Sequence, residues 1–234
     1  VTAFVTPLFL FRGLDWAQFN RLLPERILSL SRRVLLAAPA LLLLPRGALA
    51  ATCKPTDLSK GITFRRQDGS TGLARREADG LVAIDYVTNR GAWTDMRRVK
   101  NGVFEVQRTV EESEEPMVGS SAPTYSWSYS PKIITPEDGA TWDGTVKETV
   151  EFTISDEAST VVRRRTKWTA HFRCFDPREV TLSGCHYMAL SVEASFVGPN
   201  GARSQRWVYF PQLGLGLETQ RDGKANGITA MTPA

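Results

Sequence analysis

The chain has 234 residues, 29 of them basic and 25 acidic, for a net charge of +4. Six arginines and only two acids, Asp15 and Glu25, fall within residues 1–50, so residues 51–234 hold 23 charges of each sign. That balance argues against a nucleic-acid partner, since electrostatic binding needs a basic domain, and the remaining length suffices for one domain with its own core.

The first fifty residues read as an address. Ser31-Arg32-Arg33-Val34-Leu35-Leu36 precedes a short apolar run from Ala37 to Leu44, and Ala48-Leu49-Ala50 follows with the small-x-small spacing of a cleavage site. The paired arginines resemble a twin-arginine export signal, and Arg46 between the apolar run and the cleavage site fits the same class. The apolar run falls short of the roughly 20 residues a membrane span requires, and Pro39 and Pro45 interrupt it. The expectation is an N-terminal extension plus signal peptide over residues 1–50, cleaved near Ala50, with the mature chain in a bacterial periplasm. Cys53 is preceded by Thr52 rather than the small residue that lipid attachment needs, so it is read as a terminal thiol or a disulfide partner.

Residues 51–234 are expected to form a single all-β domain. Gly61–Arg66 reads as a strand ending at Asp68-Gly69, and Leu81–Val87 as another, with Val82, Ile84 and Tyr86 on one face. Ala92–Val99 and Val103–Val110 flank Asn101-Gly102, a strong hairpin signal because a type I′ turn needs positive φ at both central positions. Glu111, Glu112, Glu114 and Glu115, followed by Pro116, Gly119 and Pro123, make an acidic loop near 111–123. Tyr125–Tyr129, with Pro131 and Pro136 after it, suggests an edge strand. Asp143-Gly144 is read as the turn that opens a strand carrying Val146, Val150, Phe152 and Ile154 on one face. Strands joined by short turns imply an antiparallel meander.

The longest alternating stretch runs from Ser159 onward. Val162, Trp168, Ala170, Phe172 and Cys174 fall on one face, with Arg163, Arg165, Lys167, His171 and Arg173 on the other. Asp176-Pro177 is read as a break, after which Met188, Leu190, Val192, Ala194 and Phe196 share a face. Outward alternation, with Glu151 as a cross-strand partner, accounts for the basic row. Cys174 and Cys185 would end one strand and begin the next, so they are expected to form a disulfide, which an oxidising compartment permits and which would add about 3 kcal/mol on the chain-entropy model.

Catalytic chemistry is not written in the chain. His171 and His186 lie in no metal-ligand spacing. The sequence contains no Gly-x-Ser-x-Gly, no His-Glu-x-x-His and no phosphate loop, and Gly214-Leu-Gly216 has no helix after it. No residue is nominated as a nucleophile and no cofactor is expected.

Trp207-Val-Tyr-Phe-Pro-Gln-Leu-Gly-Leu-Gly-Leu-Glu218 resembles the C-terminal aromatic-Tyr-x-Pro-x-x-Gly-Leu segment of a group of uncharacterised exported bacterial β-proteins. Val180–Gly184 and Tyr187–Val192 fit the order of strands that precedes it. The resemblance implies a curved antiparallel half-barrel, similar to periplasmic lipoprotein carriers, around an apolar concavity, with no catalytic residues to carry over. A closed β-sandwich is the alternative, because a sheet with one apolar face must cover it. Trp168, Phe172, Met188, Leu190 and Phe196 are the candidate pocket.

The functional expectation is an exported binding or envelope-assembly protein whose ligand is lipid-like. A structural protein-interaction module acting on an envelope protein, and a hydrolase, are the alternatives. Changing Arg32 and Arg33 to Lys is expected to hold the precursor in the cytoplasm, while the wild-type mature form begins at Ala51. Fractionation with N-terminal mass mapping checks this, and an undiminished periplasmic pool in the Lys variant would contradict it.

Overall fold

The computed structural model describes residues 57–88, 91, 93–112, 121–154 and 159–234. The leader, Cys53 and most of the acidic loop lie outside the described residues. Among those residues there is no α-helix, only a 3-10 turn at Leu58–Lys60. The strands are β1 (Ile62–Arg66), β2 (Thr71–Arg76), β3 (Val82–Val87), β4 (Trp93–Lys100), β5 (Phe104–Glu112), β6 (Thr124–Ser130), β7 (Thr141–Ile154), β8 (Thr160–Leu182), β9 (Cys185–Gly198), β10 (Gly201–Phe210), β11 (Leu215–Arg221), β12 (Lys224–Ala225) and β13 (Ile228–Pro233). They form one antiparallel sheet in which β12 to β1 follow in reverse chain order, and β13 returns to pair with β1. The all-β meander is as expected, and the sheet curls into a half-barrel.

Period-two alternation builds the inner wall. Val82, Ile84 and Tyr86 of β3 are buried, as are Trp168, Ala170, Phe172 and Cys174 of β8. Two apolar clusters result. One joins β1–β4 to Phe210, Leu213, Leu215 and Leu217, and the other joins Phe104, Trp142, Trp168 and Phe172 to Leu190, Val192 and Trp207. The interior of the curl is therefore filled by side chains.

Glycines let the sheet fold back on itself. Asn101 and Gly102 take φ of 50° and 77°, giving the predicted turn. The tip of that hairpin then meets β11, where the Gly216 amide donates to the Gly102 carbonyl at 3.0 Å. A Cβ on Gly102 would stand 2.6 Å from the Gly214 carbonyl oxygen, and one on Gly216 would stand 2.4 Å from Val103. Here Pro211 and its glycines end one strand and bring the next close to its neighbour, as the sequence implies.

Several expectations need correction. Asp143-Gly144 lies inside β7, paired with His171 and Ala170. Gly144 is needed for space, since a Cβ there would stand 2.4 Å from the Ser130 carbonyl oxygen. The reversal comes earlier, where Gly139 has φ of 74°. Asp176-Pro177 does not break the strand. Asp176, at φ 59°, forms a bulge within β8, where register shifts between Phe175 and Arg178. The true reversal is Ser183-Gly184, both at positive φ. β6 is not an edge strand, because it sits between β5 and β7.

The Cys174–Cys185 disulfide is not formed, because Cys174 is a free, buried thiol. Cys174 stands opposite Val192 while Cys185 stands opposite Leu182. With about 3.3 Å of rise per residue, the two are far beyond the roughly 7 Å Cα separation a disulfide tolerates.

Trp168 is 2% exposed, and Gly198 leaves the space for its ring, since a Cβ there would stand 2.5 Å from it. Trp168→Ala is expected to cost about 3–5 kcal/mol in urea denaturation. A cost near zero would contradict its place in the packed core.

Candidate functional site

The sheet splits between β5 and β6, and the candidate site lies there. β5 and β6 pair only over Gln107–Thr109 and Ser126–Thr124. Beyond that, Trp127–Ser130 keep their pairing with β7 alone. The Tyr129 hydroxyl stitches the gap by donating to the Glu105 carbonyl at 2.8 Å. A cavity of about 40 Å³ opens at the split. Trp127, Tyr129, Val146, Trp168, Phe172 and Phe196 form its aromatic and apolar wall, and Glu105, Arg203, Gln205, Arg221 and Asp222 its polar wall.

Behind the polar wall lies a buried ion cluster. Alternation on β4 puts Asp95, Arg97 and Val99 on the inner face, exposed by 2%, 5% and 3%. Arg97 Nη2 contacts Asp95 Oδ2 at 2.6 Å, and Arg97 Nη1 donates to Glu218 Oε2 at 2.9 Å. Arg108 Nε donates to Asp95 Oδ1 at 2.8 Å, and Arg221 Nη2 to Glu218 Oε2 at 2.5 Å. The Arg97 guanidinium also lies over the Tyr86 ring, 4.6 Å from its centre. Asp95, Glu105 and Glu218 thus face Arg97, Arg108 and Arg221, and the cluster is neutral.

Glu105 is its incomplete member. Its Oε2 lies 3.5 Å from Arg221 Nη2 and its Oε1 lies 3.4 Å from Arg97 Nε. Oε1 is buried yet takes no hydrogen bond, the one such side-chain atom among the described residues. A buried acceptor without a donor costs about 1–3 kcal/mol, and here it belongs to a residue lining a cavity with room for a water.

Glu148 is the counterpart on the aromatic wall. Trp168 Nε1 donates to Glu148 Oε2 at 3.0 Å, and Arg203 Nη1 reaches Glu148 Oε1 at 3.3 Å. The Arg203 guanidinium stacks over Trp168, 4.1 Å from the ring centre, with its side chain 47% exposed. Arg203 thereby lines the cavity beside Trp168, on its solvent-exposed side.

The predicted pocket residues divide. Trp168, Phe172 and Phe196 line the cavity together. Leu190 lies in the same apolar cluster without reaching the cavity. Met188, opposite Glu179, points outward and is 52% exposed, because the β8 bulge shifts the register opposite Leu190. Tyr187 and Ala189 are buried before that point, and Leu190, Val192 and Ala194 after it. The basic row is on the outer surface as expected. Arg163 Nε pairs with Glu151 at 2.6 Å and Arg173 with Glu193 at 2.5 Å, while Lys167 stands opposite Lys147. His171 and His186 are exposed beside Asp143 and Glu179.

Sequence reasoning missed Asp95, Arg97, Glu105 and Glu218. The available signal was phase: Asp95 and Arg97 share the alternation of Val99, so a β4 face built on Val99 carries charge inward.

No protein family matches the sequence, and no curated protein matches it. The crystal structure of the hypothetical lipoprotein YmcC of Escherichia coli K12 is similar at a TM-score of 0.42 and 10% identity, covering 75% of this chain and 85% of that one.

The cluster gives the domain an acid limit. Burial works to raise the Asp95 pKa, but Arg97 and Arg108 outweigh it and hold it at about 2. Burial likewise opposes ionisation of Glu218, and Arg97 and Arg221 outweigh it, again giving about 2. Both carboxyls are depressed on folding, so their stabilisation is complete above their unfolded values near 4 and is lost as pH falls from there toward 2. Urea stability is expected to drop by several kcal/mol, about 2–3 per group, across that window. Glu218→Gln should flatten the slope, and an unchanged slope would contradict this assignment.

Proposed function

We propose that the chain is an exported cell-envelope protein that works by binding, and that its binding element is the mouth of the half-barrel at the β5–β6 split. The export reading rests on the Arg32-Arg33 leader and the Ala48-x-Ala50 spacing. The binding reading rests on one observation above all: a buried carboxylate oxygen of Glu105 without a hydrogen-bond donor, on a residue that lines a cavity whose other wall is aromatic. Ligand sites combine apolar lining with a few fixed polar groups, and this mouth has both.

The geometry narrows the ligand. Pockets that enclose a drug-sized molecule have roughly 300–1,000 Å³, and the space here is about 40 Å³. An acyl chain does not fit inside the filled core without repacking Trp168 and Phe172. The better candidate is a ligand that rests at the mouth and sends one small polar group inward.

A second reading rests on a different feature. From Val161 to Trp168, β8 pairs with β7 and runs past the end of β9, whose pairing with β8 begins at Thr169. Among the described residues that stretch is a sheet edge open to an added strand, and Val161 on it is 63% exposed. It supports the interaction-module alternative, with an envelope protein as partner.

Native mass spectrometry of the protein purified from the periplasm separates the two. The binding reading predicts a small molecule retained by the wild type, with occupancy reduced roughly tenfold or more in Trp127→Ala, as truncating a central aromatic anchor commonly does. A bare chain that copurifies with a protein, and loses it on charge reversal at Arg163 and Arg165, would favour the interaction module and overturn the binding reading.

A further inference from the structure

Resting on the binding reading above, we infer that the ligand of the β5–β6 mouth is a saccharide, held by the Tyr125–Trp127 platform with one hydroxyl delivered to Glu105.

The platform follows from β6. Alternation puts Tyr125, Trp127 and Tyr129 on the same face, and the strand carries them from the open end of the sheet toward the core. Tyr129 contacts Phe104 and Trp142 edge-on at its inner end. The Tyr125 and Trp127 rings instead lie nearly parallel, with centroids 5.8 Å apart and planes 9° apart. Both side chains are half-buried. The two rings are thus stacked in parallel, and the pair, partly open to solvent, makes an apolar seat.

The rim around that seat is mixed in sign. Arg203 and Arg221 supply donors, Glu105 and Asp222 acceptors, and Gln205 both. An acyl chain has no use for such a rim. A nucleic acid would bring phosphates against Glu105 and Asp222, and residues 51–234 carry no excess positive charge to compensate. A hydroxyl group is both donor and acceptor, so it suits a rim of both kinds. Sugar rings join one apolar C–H face to a belt of hydroxyls, which is the pattern of this surface.

Size selects the group that enters. The cavity of about 40 Å³ is far below the roughly 300–1,000 Å³ of a pocket that encloses a whole drug-sized molecule. A whole ring is excluded, and a hydroxymethyl arm fits. Its hydroxyl comes beside Glu105, whose Oε1 lacks a hydrogen bond, is sealed from solvent and lies 3.4 Å from Arg97 Nε, so a rotation of the Glu105 carboxyl completes the contact. The ring then stays outside on Trp127, where no rearrangement of Trp168 is needed.

A soluble glycan array probed with the full-length protein, followed by saturation-transfer NMR on the oligosaccharides that bind, tests the inference. The expected result is retention of hexose-containing glycans, with saturation strongest on ring C–H and hydroxymethyl protons. Trp127→Ala should lose affinity by roughly tenfold or more. A 6-deoxy analogue should bind the wild type roughly tenfold or more weaker than its parent, since a site built for a hydroxyl leaves its acceptor unpaired without one. Glu105→Gln should narrow that difference between analogue and parent. If Glu105→Gln fails to fold, the Trp127→Ala and 6-deoxy comparisons still decide. No glycan retained, with palmitate or phosphatidylglycerol vesicles shifting tryptophan fluorescence instead, would overturn the saccharide and leave the binding reading standing. No response to glycan or lipid would overturn both.

Discussion

The fold depends on six charges, four of them buried, gathered where the curled sheet meets itself. Asp95, Arg97, Glu105 and Arg108 come from β4 and β5, and Glu218 and Arg221 from β11. The two groups stand more than a hundred residues apart in the chain, and Arg97 bonds to both sides. Such a cluster adds little net stability over an apolar core, because desolvation offsets most of the Coulomb gain. It does penalise misalignment: removing or displacing one partner leaves an uncompensated buried charge, at about 3–5 kcal/mol. The cluster therefore acts as a register key. It accepts one way of folding β11 over β4 and β5, while the glycine contacts between Gly102, Gly214 and Gly216 let the backbones approach.

That key also explains why the candidate site is where it is. β5 must turn inward to place Glu105 against Arg97 and Arg221. β6 must stay with β7 to keep Trp127 opposite Glu148. The sheet parts between the two demands, and Tyr129 bridges the opening through the Glu105 carbonyl. The cavity thus inherits a charged wall from one side of the split and an aromatic wall from the other. Arg203, stacked on Trp168 and bonded to Glu148, continues the charged wall on the solvent-exposed side.

Much of this architecture was legible in the sequence. The buried faces of β3 and β8 follow from strict alternation, and the Asn101-Gly102 turn from its need for positive φ. These are local rules, and local rules read well. The misreadings share a cause: one residue type serves two purposes. Gly144 resembles a turn residue but provides clearance for the Ser130 carbonyl. Pro177 resembles a strand terminator but sits beside a bulge that re-aims Met188 outward. The cysteines looked paired because they were near in sequence, although β8 and β9 draw them apart by seven register positions. Of the pocket, Trp168, Phe172 and Phe196 were readable from strand phase on β8 and β9, whereas Trp127 and Tyr129 of β6 were not named. The charged half was not readable, because its partners meet only after β11 folds back, and no short-range pattern records that contact.

The account turns on whether something occupies the space beside Glu105. The most direct measurement is a crystal structure, at better than about 1.2 Å, of the protein purified from its own periplasm. It predicts ordered density within hydrogen-bond distance of Glu105 Oε1, continuing outward over the Trp127 ring. A dry cavity, with Glu105 turned to complete its hydrogen bonds within the protein, would contradict it.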